Sequence, residues 1–190
     1  MSNRKPYSLF AFFFLIISLI FSLLPAIIVS AKEISGVSKD QTFYTQFSLF
    51  YEKGHYHTTN YHKGILLPVN SEVKFVKAYS KSIVVTLPNS ENLEIINVEG
   101  FSGEKIEEIF TRTFSASPVD LSKFTGAEKK AILAGKVEKG MTKAAVIAAF
   151  GYPPKHKTPN LETEQWRYWL NRFDTIVVIF ENDKVVRIEN

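Results

Sequence analysis

The sequence predicts an α+β fold, and three observations carry that prediction. The first half is rich in aromatic and β-branched residues that fall into short alternating runs between turn residues. Two capped helices follow. The chain closes on three strand-like runs joined by the turns Asn171-Arg172-Phe173 and Asn182-Asp183, which is the grammar of an antiparallel meander.

Residues 1–31 stand apart from the fold. Arg4 and Lys5 precede a run, Leu9 to Leu24, interrupted only by Ser18 and Ser22. Val29-Ser30-Ala31 then offers the small residues a signal peptidase accepts. The segment reads as a signal peptide cut after Ala31. It also reads as an uncleaved anchor, because residues 9–29 match the ~20 apolar residues that cross a bilayer. Either way the remainder is expected outside the cytoplasm, in the periplasm or cell envelope, anchored in the inner membrane in the second case. The chain has no cysteine. It is therefore expected to carry neither a disulfide framework nor the lipid of a lipoprotein. Arg4 and Lys5 are the only charges in the leader, so the net +4 of the whole chain falls to +2 without it. That charge does not imply a nucleic-acid partner.

The β-rich module is expected over residues 42–98. Thr42 to Tyr51 reads as one aromatic strand, and Glu52-Lys53-Gly54 as a turn. Gly64 to Val69 is a short strand that Pro68 ends or places at an edge, and Val73 to Val76 alternates. Ser82 to Leu87 and Leu93 to Val98 are two more strands around the loop Pro88-Asn89-Ser90-Glu91-Asn92. Five short strands suggest a small barrel or curled sheet. Residues 99–120 hold a helix and a linker. Ile106, Ile109, Phe110 and Phe114 give Ser102 to Phe114 helical spacing, and Pro118 marks the linker.

The last module is expected over residues 121–190. Thr125 caps a helix, with Glu128 at capping-box spacing. Thr142 caps the next, which Gly151 stops and Pro153-Pro154 cannot continue. Glu164 to Leu170, Asp174 to Glu181 and Lys184 to Ile188 are the three strands. Ile132, Val146, Phe150, Val178, Phe180 and Ile188 are its expected core.

Gly135, Val137, Gly140-Met141-Thr142-Lys143, Val146, Gly151, Pro153, Trp166, Tyr168, Val178, Phe180 and Asp183-Lys184-Val185-Val186 resemble the SmpA/OmlA (BamE-like) family of small outer-membrane assembly proteins. The resemblance covers Ile132 to Ile188, about a third of the chain. It implies an ααβββ two-layer sandwich, with two helices on one face of a three-stranded sheet. It also implies a binding or scaffold role in assembling envelope protein complexes. The chain departs from the family in lacking the lipid-bearing cysteine. The β region lies outside this match. Through Gly64-Ile65-Leu66-Leu67-Pro68-Val69 and Glu72-Val73-Lys74 it is similar to bacterial SH3-like domains.

Two groups are expected to bind. Lys155, His156 and Lys157 lie in a proline-stiffened basic loop suited to anionic lipid heads or an acidic partner. Trp166, Arg167, Tyr168 and Trp169 lie on a strand whose alternation puts Trp166 and Tyr168 on one face and Trp169 on the other. An exposed tryptophan beside an arginine suits a partner hot spot. His55, His57 and His62 are close in sequence, and His55 and His57 share a face if that segment is extended. No thiolate or carboxylate completes a site among them, so no metal and no other cofactor is expected. No nucleophile elbow, phosphate-cradling glycine loop or paired acidic motif occurs, and the chain is not expected to be an enzyme.

The expectation is thus a noncatalytic envelope binding or scaffold module, accessory to envelope or outer-membrane assembly, with an envelope protein as partner. The alternative is a cell-wall or small-ligand binding protein using the β module around Tyr44, Tyr51, Tyr56 and Tyr61. A groove in the β region favours the alternative, and a flat aromatic patch on the C-terminal sheet favours a protein partner.

Overall fold

Alternating burial along the first half rolls the chain into a sheet. The computed structural model describes residues 30–190, and residues 31–190 form one unit within it. The leader expected over residues 1–31, with the anchor over 9–29, lies outside the described residues except for Ser30 and Ala31. No helix among the described residues is long and apolar enough to cross a membrane.

In chain order the first seven strands are β1 (Thr42–Thr45), β2 (Leu49–Tyr51), β3 (His55–His57), β4 (Ile65–Leu67), β5 (Glu72–Ala78), β6 (Ser82–Thr86) and β7 (Asn92–Ile96). Two short helices follow, α1 (Glu99–Ser102) and α2 (Ile106–Thr113), then β8 (Phe114–Ser115). The second half holds α3 (Gly126–Leu133), α4 (Lys143–Phe150), β9 (Gln165–Trp169), β10 (Thr175–Glu181) and β11 (Lys184–Glu189).

The fold is α+β. A curled six-stranded sheet runs in the order β3-β7-β6-β5-β1-β8. Its pairs are antiparallel except β3 with β7. A register shift between Phe75 and Lys77 bends β5 and adds to the curl. Val73, Phe75, Ile83, Val85, Leu93 and Ile95 point to one side, where Ile106, Ile109 and Phe110 of α2 close the core.

Two elements differ from their sequence expectation. Thr42 to Tyr51 is not one strand. The chain leaves the first sheet at Gln46–Ser48, where the Ser48 amide donates to Ala148 O (2.9 Å) and the Ser48 hydroxyl to Ile132 O (3.1 Å). β2 then pairs with β4 in a separate two-stranded sheet. The expected helix over Ser102 to Phe114 is split. Gly103 takes φ +63° and ends α1, so the helical spacing of Ile106, Ile109 and Phe110 belongs to α2 alone.

The second half follows its local signals. Thr125 accepts the Glu128 amide and Glu128 returns to the Thr125 amide, the expected capping box. Thr142 accepts the Ala145 amide and starts α4. β9, β10 and β11 form an antiparallel meander with β10 in the centre. Trp166, Tyr168, Val178 and Phe180 on its inner face share a core with Ile132, Val146 and Phe150 of α3 and α4, while Ile188 is partly buried against it.

The two apolar cores are stitched together. Tyr152 packs against the first core and Val69 sits in the second. The main-chain stretch from Asn60 to His62 runs beside Trp169, whose carbonyl accepts the His62 amide at 3.1 Å.

Candidate functional site

The two expected binding groups have different fates. Trp166 and Tyr168 are 0% exposed and belong to the core, so neither can touch a partner. The Trp166 indole donates to Leu161 O (3.1 Å), and the Tyr168 hydroxyl to Gly151 O (3.0 Å). Arg167 lies on the opposite, outer face and donates to Thr175 Oγ1. Trp169 is half-buried on that face.

The basic loop is docked rather than free. Lys155 pairs with Glu104 at 2.8 Å, and Arg112 reaches the same carboxylate at 2.6 Å. The His156 ring meets Phe101 edge-on at 4.3 Å and lies parallel to Trp169 at 6.1 Å. Burial, and then the neighbouring Lys157, hold the His156 imidazole below its ordinary range. Of the three expected residues, Lys157 alone makes no ion pair or ring contact among the described residues.

The three histidines are not brought together. His55 and His57 sit on the exposed face of β3 with ring centres 6.5 Å apart, as an extended segment requires. Burial, and then His55, lower the His57 imidazole, with Glu94 pulling it up. His55 faces Glu94 across the parallel pair at 3.6 Å. His62 instead turns inward between Phe150 and Tyr168. No group of three or more metal-ligating side chains converges among the described residues.

A groove opens where β3 and the segment after it meet the second half. Its first recess, about 450 Å³, is lined by Phe50, Tyr61, His55, His57, Thr59 and the charges of Glu52, Lys53 and Lys63. A second recess of about 410 Å³ shares Glu52, Tyr61 and Lys63 and runs on to the β9–β10 turn at Asn171–Asp174. Phe173 at that turn is 84% exposed. The Arg172 guanidinium lies 5.8 Å from the Phe173 ring centre.

The fold explains the placement. Gly54, at φ +76°, lets β2 turn back directly into β3, and Glu52 and His55 exchange both main-chain hydrogen bonds. Asn60, at φ +54°, turns the chain after β3 and anchors it, because its amide donates to Phe150 O (2.7 Å) and Tyr152 O (3.0 Å). Asn171 fixes the opposite wall by accepting the Phe173 and Asp174 amides and donating to the Asp174 carboxylate at 2.6 Å.

Within the groove the acids are engaged. Lys63 pairs with Glu52 at 3.2 Å, and Asn171 holds Asp174. Lys53 and Arg172 are paired with no carboxylate among the described residues. Thr59 is 6% exposed, and its buried hydroxyl has no hydrogen-bond partner among the described residues. No hydroxyl nucleophile is hydrogen-bonded to His55 or His57 among the described residues.

Of the tyrosines expected around a ligand, Tyr61 lines the groove, Tyr44 is half-buried, and Tyr51 and Tyr56 are core. Sequence reasoning missed Phe50, Thr59 and Phe173 as groove residues, and took Arg172 only as a candidate neighbour of an exposed tryptophan. The signal for Phe173 was present, since a large aromatic in a short polar turn has no core to enter. No protein-family model matches the chain, and neither does any curated protein or solved structure.

Proposed function

We propose that this chain is a noncatalytic binding module of the cell envelope, exported by residues 1–31, and that its ligand lies in the groove between β3 and the β9–β10 turn. One observation carries this reading. The accessible aromatic surface of Phe50, Tyr61 and Phe173 converges on that groove. The outer face of the C-terminal sheet offers no comparable aromatic patch, since Trp169 there is half-buried beside His156. Concave sites with aromatic walls and a few polar groups are the usual form of small-ligand sites. The groove therefore favours a cell-wall or small-ligand role over a flat protein interface.

A second reading has its own observation. The order α3-α4-β9-β10-β11 and the shared core beneath the helices suit the SmpA/OmlA (BamE-like) ααβββ sandwich. Val177 and Ile179 on the outer sheet face are half-buried, with Arg167 and Arg187 as cross-strand neighbours. An envelope protein seated on that face would make the chain an assembly scaffold. The curled sheet is the part that would correspond to an SH3-like unit.

The two readings separate by mutation. Soluble cell-wall fragments are titrated into the full chain, and the same chain is used to capture partners from solubilised membranes. Tyr61→Ala and Phe173→Ala should abolish fragment binding, and Val177→Lys should leave it intact. If no fragment binds and specific capture is lost only with Val177→Lys, the groove reading fails and the scaffold reading replaces it.

A further inference from the structure

We propose that the groove is a site for an acidic glycan, taking sugar rings on its aromatic walls and their carboxylates at its basic ends. The inference rests on the groove reading above and adds the chemical class of the ligand. Its first support is charge. Glu52 and Asp174 are already satisfied by Lys63 and Asn171. Lys53 lines the first recess and Arg172 the second, and neither has a carboxylate partner among the described residues. Lys53 leaves the first recess with one positive charge in excess, and Arg172 adds a guanidinium to the second, where Asp174 balances its charge but is held by Asn171; a guanidinium suits a planar carboxylate on an elongated ligand.

The second support is Thr59. A buried hydroxyl without a partner costs free energy, so native structures seldom leave one. Thr59 is 94% covered, lines the first recess, and has that unpartnered hydroxyl. Its Oγ1 is covered from solvent, so a ligand rich in hydroxyl groups would satisfy it only with a small shift of the recess wall on binding. His57 lines the same recess and offers ring nitrogens to a ligand there.

The third support is what the groove lacks. An extended peptide docks by adding to a free strand edge. Here the neighbouring main-chain groups are engaged, with Glu52 bonded to His55 and His62 to Trp169. Sugar rings bring flat C–H faces for Tyr61 and Phe173, many hydroxyls and sparse acids, and these are the features the walls complement.

The test is a calorimetric titration of the full chain in a non-sugar detergent, with four probes: a galacturonic acid trimer, neutral N-acetylchitotriose, inorganic phosphate and a thymidine hexanucleotide. The trimer should bind at least about tenfold more tightly than the other three, one well-made charged contact being of that size. Lys53→Gln and Arg172→Gln are at exposed positions, and each should weaken it about three- to tenfold without moving the melting temperature. Thr59→Val should weaken it about threefold or more. Equal binding of the neutral trimer overturns the acidic assignment and leaves the groove reading standing. Tighter binding of the hexanucleotide, or phosphate as strong as the galacturonate, overturns the glycan assignment. Absence of all binding, or binding that survives Tyr61→Ala with Phe173→Ala, overturns the groove reading as well.

Discussion

The His62 imidazole lies on the Phe150 ring, centres 3.6 Å apart and 18° from parallel, while its Nε2 sits 3.0 Å from the Phe150 carbonyl oxygen. One residue thus holds the end of α4 by both its side chain and its main chain. The other ring nitrogen, Nδ1, faces Trp169 O at 3.2 Å. A neutral imidazole has one N–H for two acceptors. Whichever nitrogen carries that hydrogen, the other sets its lone pair against a carbonyl oxygen. Protonation would satisfy both carbonyls, yet burial among Phe50, Phe150 and Tyr168 opposes the charge.

That opposition makes stability depend on pH. Burial pushes the His62 imidazole down to about 4, against a smaller upward pull from the carbonyls of Phe150 and Trp169. An unfolded histidine titrates near 6.5. Between those values the unfolded chain binds a proton that the folded chain refuses, so stability falls as pH drops from about 6.5 to 4. The full shift corresponds to roughly 3 kcal/mol. The His62 side chain is only half-buried by surface area, and water at its exposed edge should reduce the loss to about 1–2 kcal/mol. Urea unfolding at pH 7, 5.5 and 4 should show this loss in the parent, and His62→Phe should remove the His62 part and leave only what the lowered His57 and His156 contribute. A parallel decline in both proteins would falsify the assignment.

Phe150→Ala removes the platform under His62 and part of the second core. Phe150 is 6% exposed. The change should cost about 3–5 kcal/mol, as for other buried aromatics. The stacking predicts more than a cavity, because His62→Ala and Phe150→Ala should be non-additive by about 0.5–1.5 kcal/mol in a double-mutant cycle. Strict additivity would show that the contact contributes nothing of its own.

One carboxylate starts two helices. Glu128 Oε2 accepts the amide and hydroxyl of Thr125, each at 2.9 Å, and Oε1 accepts the amide (2.9 Å) and hydroxyl (3.0 Å) of Thr142. Burial pushes the acid up, and these four donors together hold it below its ordinary range. A lowered carboxyl contributes stability above its unfolded pKa and loses it as pH falls through the folded one. This loss lies below about 4.5, acidic to most of the His62 window. Glu128→Gln should cost about 2–3 kcal/mol at pH 7, the scale of hydrogen bonds to a charged group, and should shrink the decline below pH 4.5. An unchanged acid limb in the variant would show that the cradle does not set it.

These relationships show where sequence reading reaches and where it stops. Thr125 with Glu128, and Thr142 before α4, were legible because a cap is chosen by residues within one turn. The meander was legible because alternation and tight turns are local too. The second role of Glu128 was not, since Thr142 lies fourteen residues on and meets it only in the folded chain. The break in Thr42 to Tyr51 was hidden because both sides of Ser48 alternate, and the deciding acceptors belong to α3 and α4. Gly103 was a visible helix breaker inside an otherwise helical pattern. His55 and His57 could be placed on one face from spacing alone. His62 could not be placed at all, because its neighbours come from positions 150 and 168. The groove joins residues 50–63 to 171–174, a pairing that no local pattern encodes.

Gly151 is the residue on which the junction between the two halves turns. It ends α4 by donating to Ile147 O at 2.7 Å, then takes φ +70° and ψ −167°. Its φ is positive, as the helix stop implied, but the extended ψ lies outside the left-handed helical region and belongs to glycine almost alone. That turn directs Gly151 O to the Tyr168 hydroxyl and Tyr152 O to Asn60. A Cβ there would lie 2.7 and 2.9 Å from the Phe47 ring carbons and 3.2 Å from Asn60 Nδ2. Phe47 is 2% exposed and Asn60 1%, so neither can move aside freely. Gly151→Ala therefore combines backbone strain of about 1–3 kcal/mol with overpacking of similar size, partly relieved together, for a net loss of roughly 2–4 kcal/mol. Gly151→Val should be worse, since a branched Cβ resists this conformation further. Phe47→Leu in the Gly151→Ala background should recover the steric part and leave the backbone part, so the double variant should fall between the single variant and the parent after correcting for Phe47→Leu alone. Chemical denaturation of the four proteins gives the cycle. A Gly151→Ala protein as stable as the parent would mean that the chain can leave α4 by another path, and that Phe47 and Asn60 do not fix how the halves join.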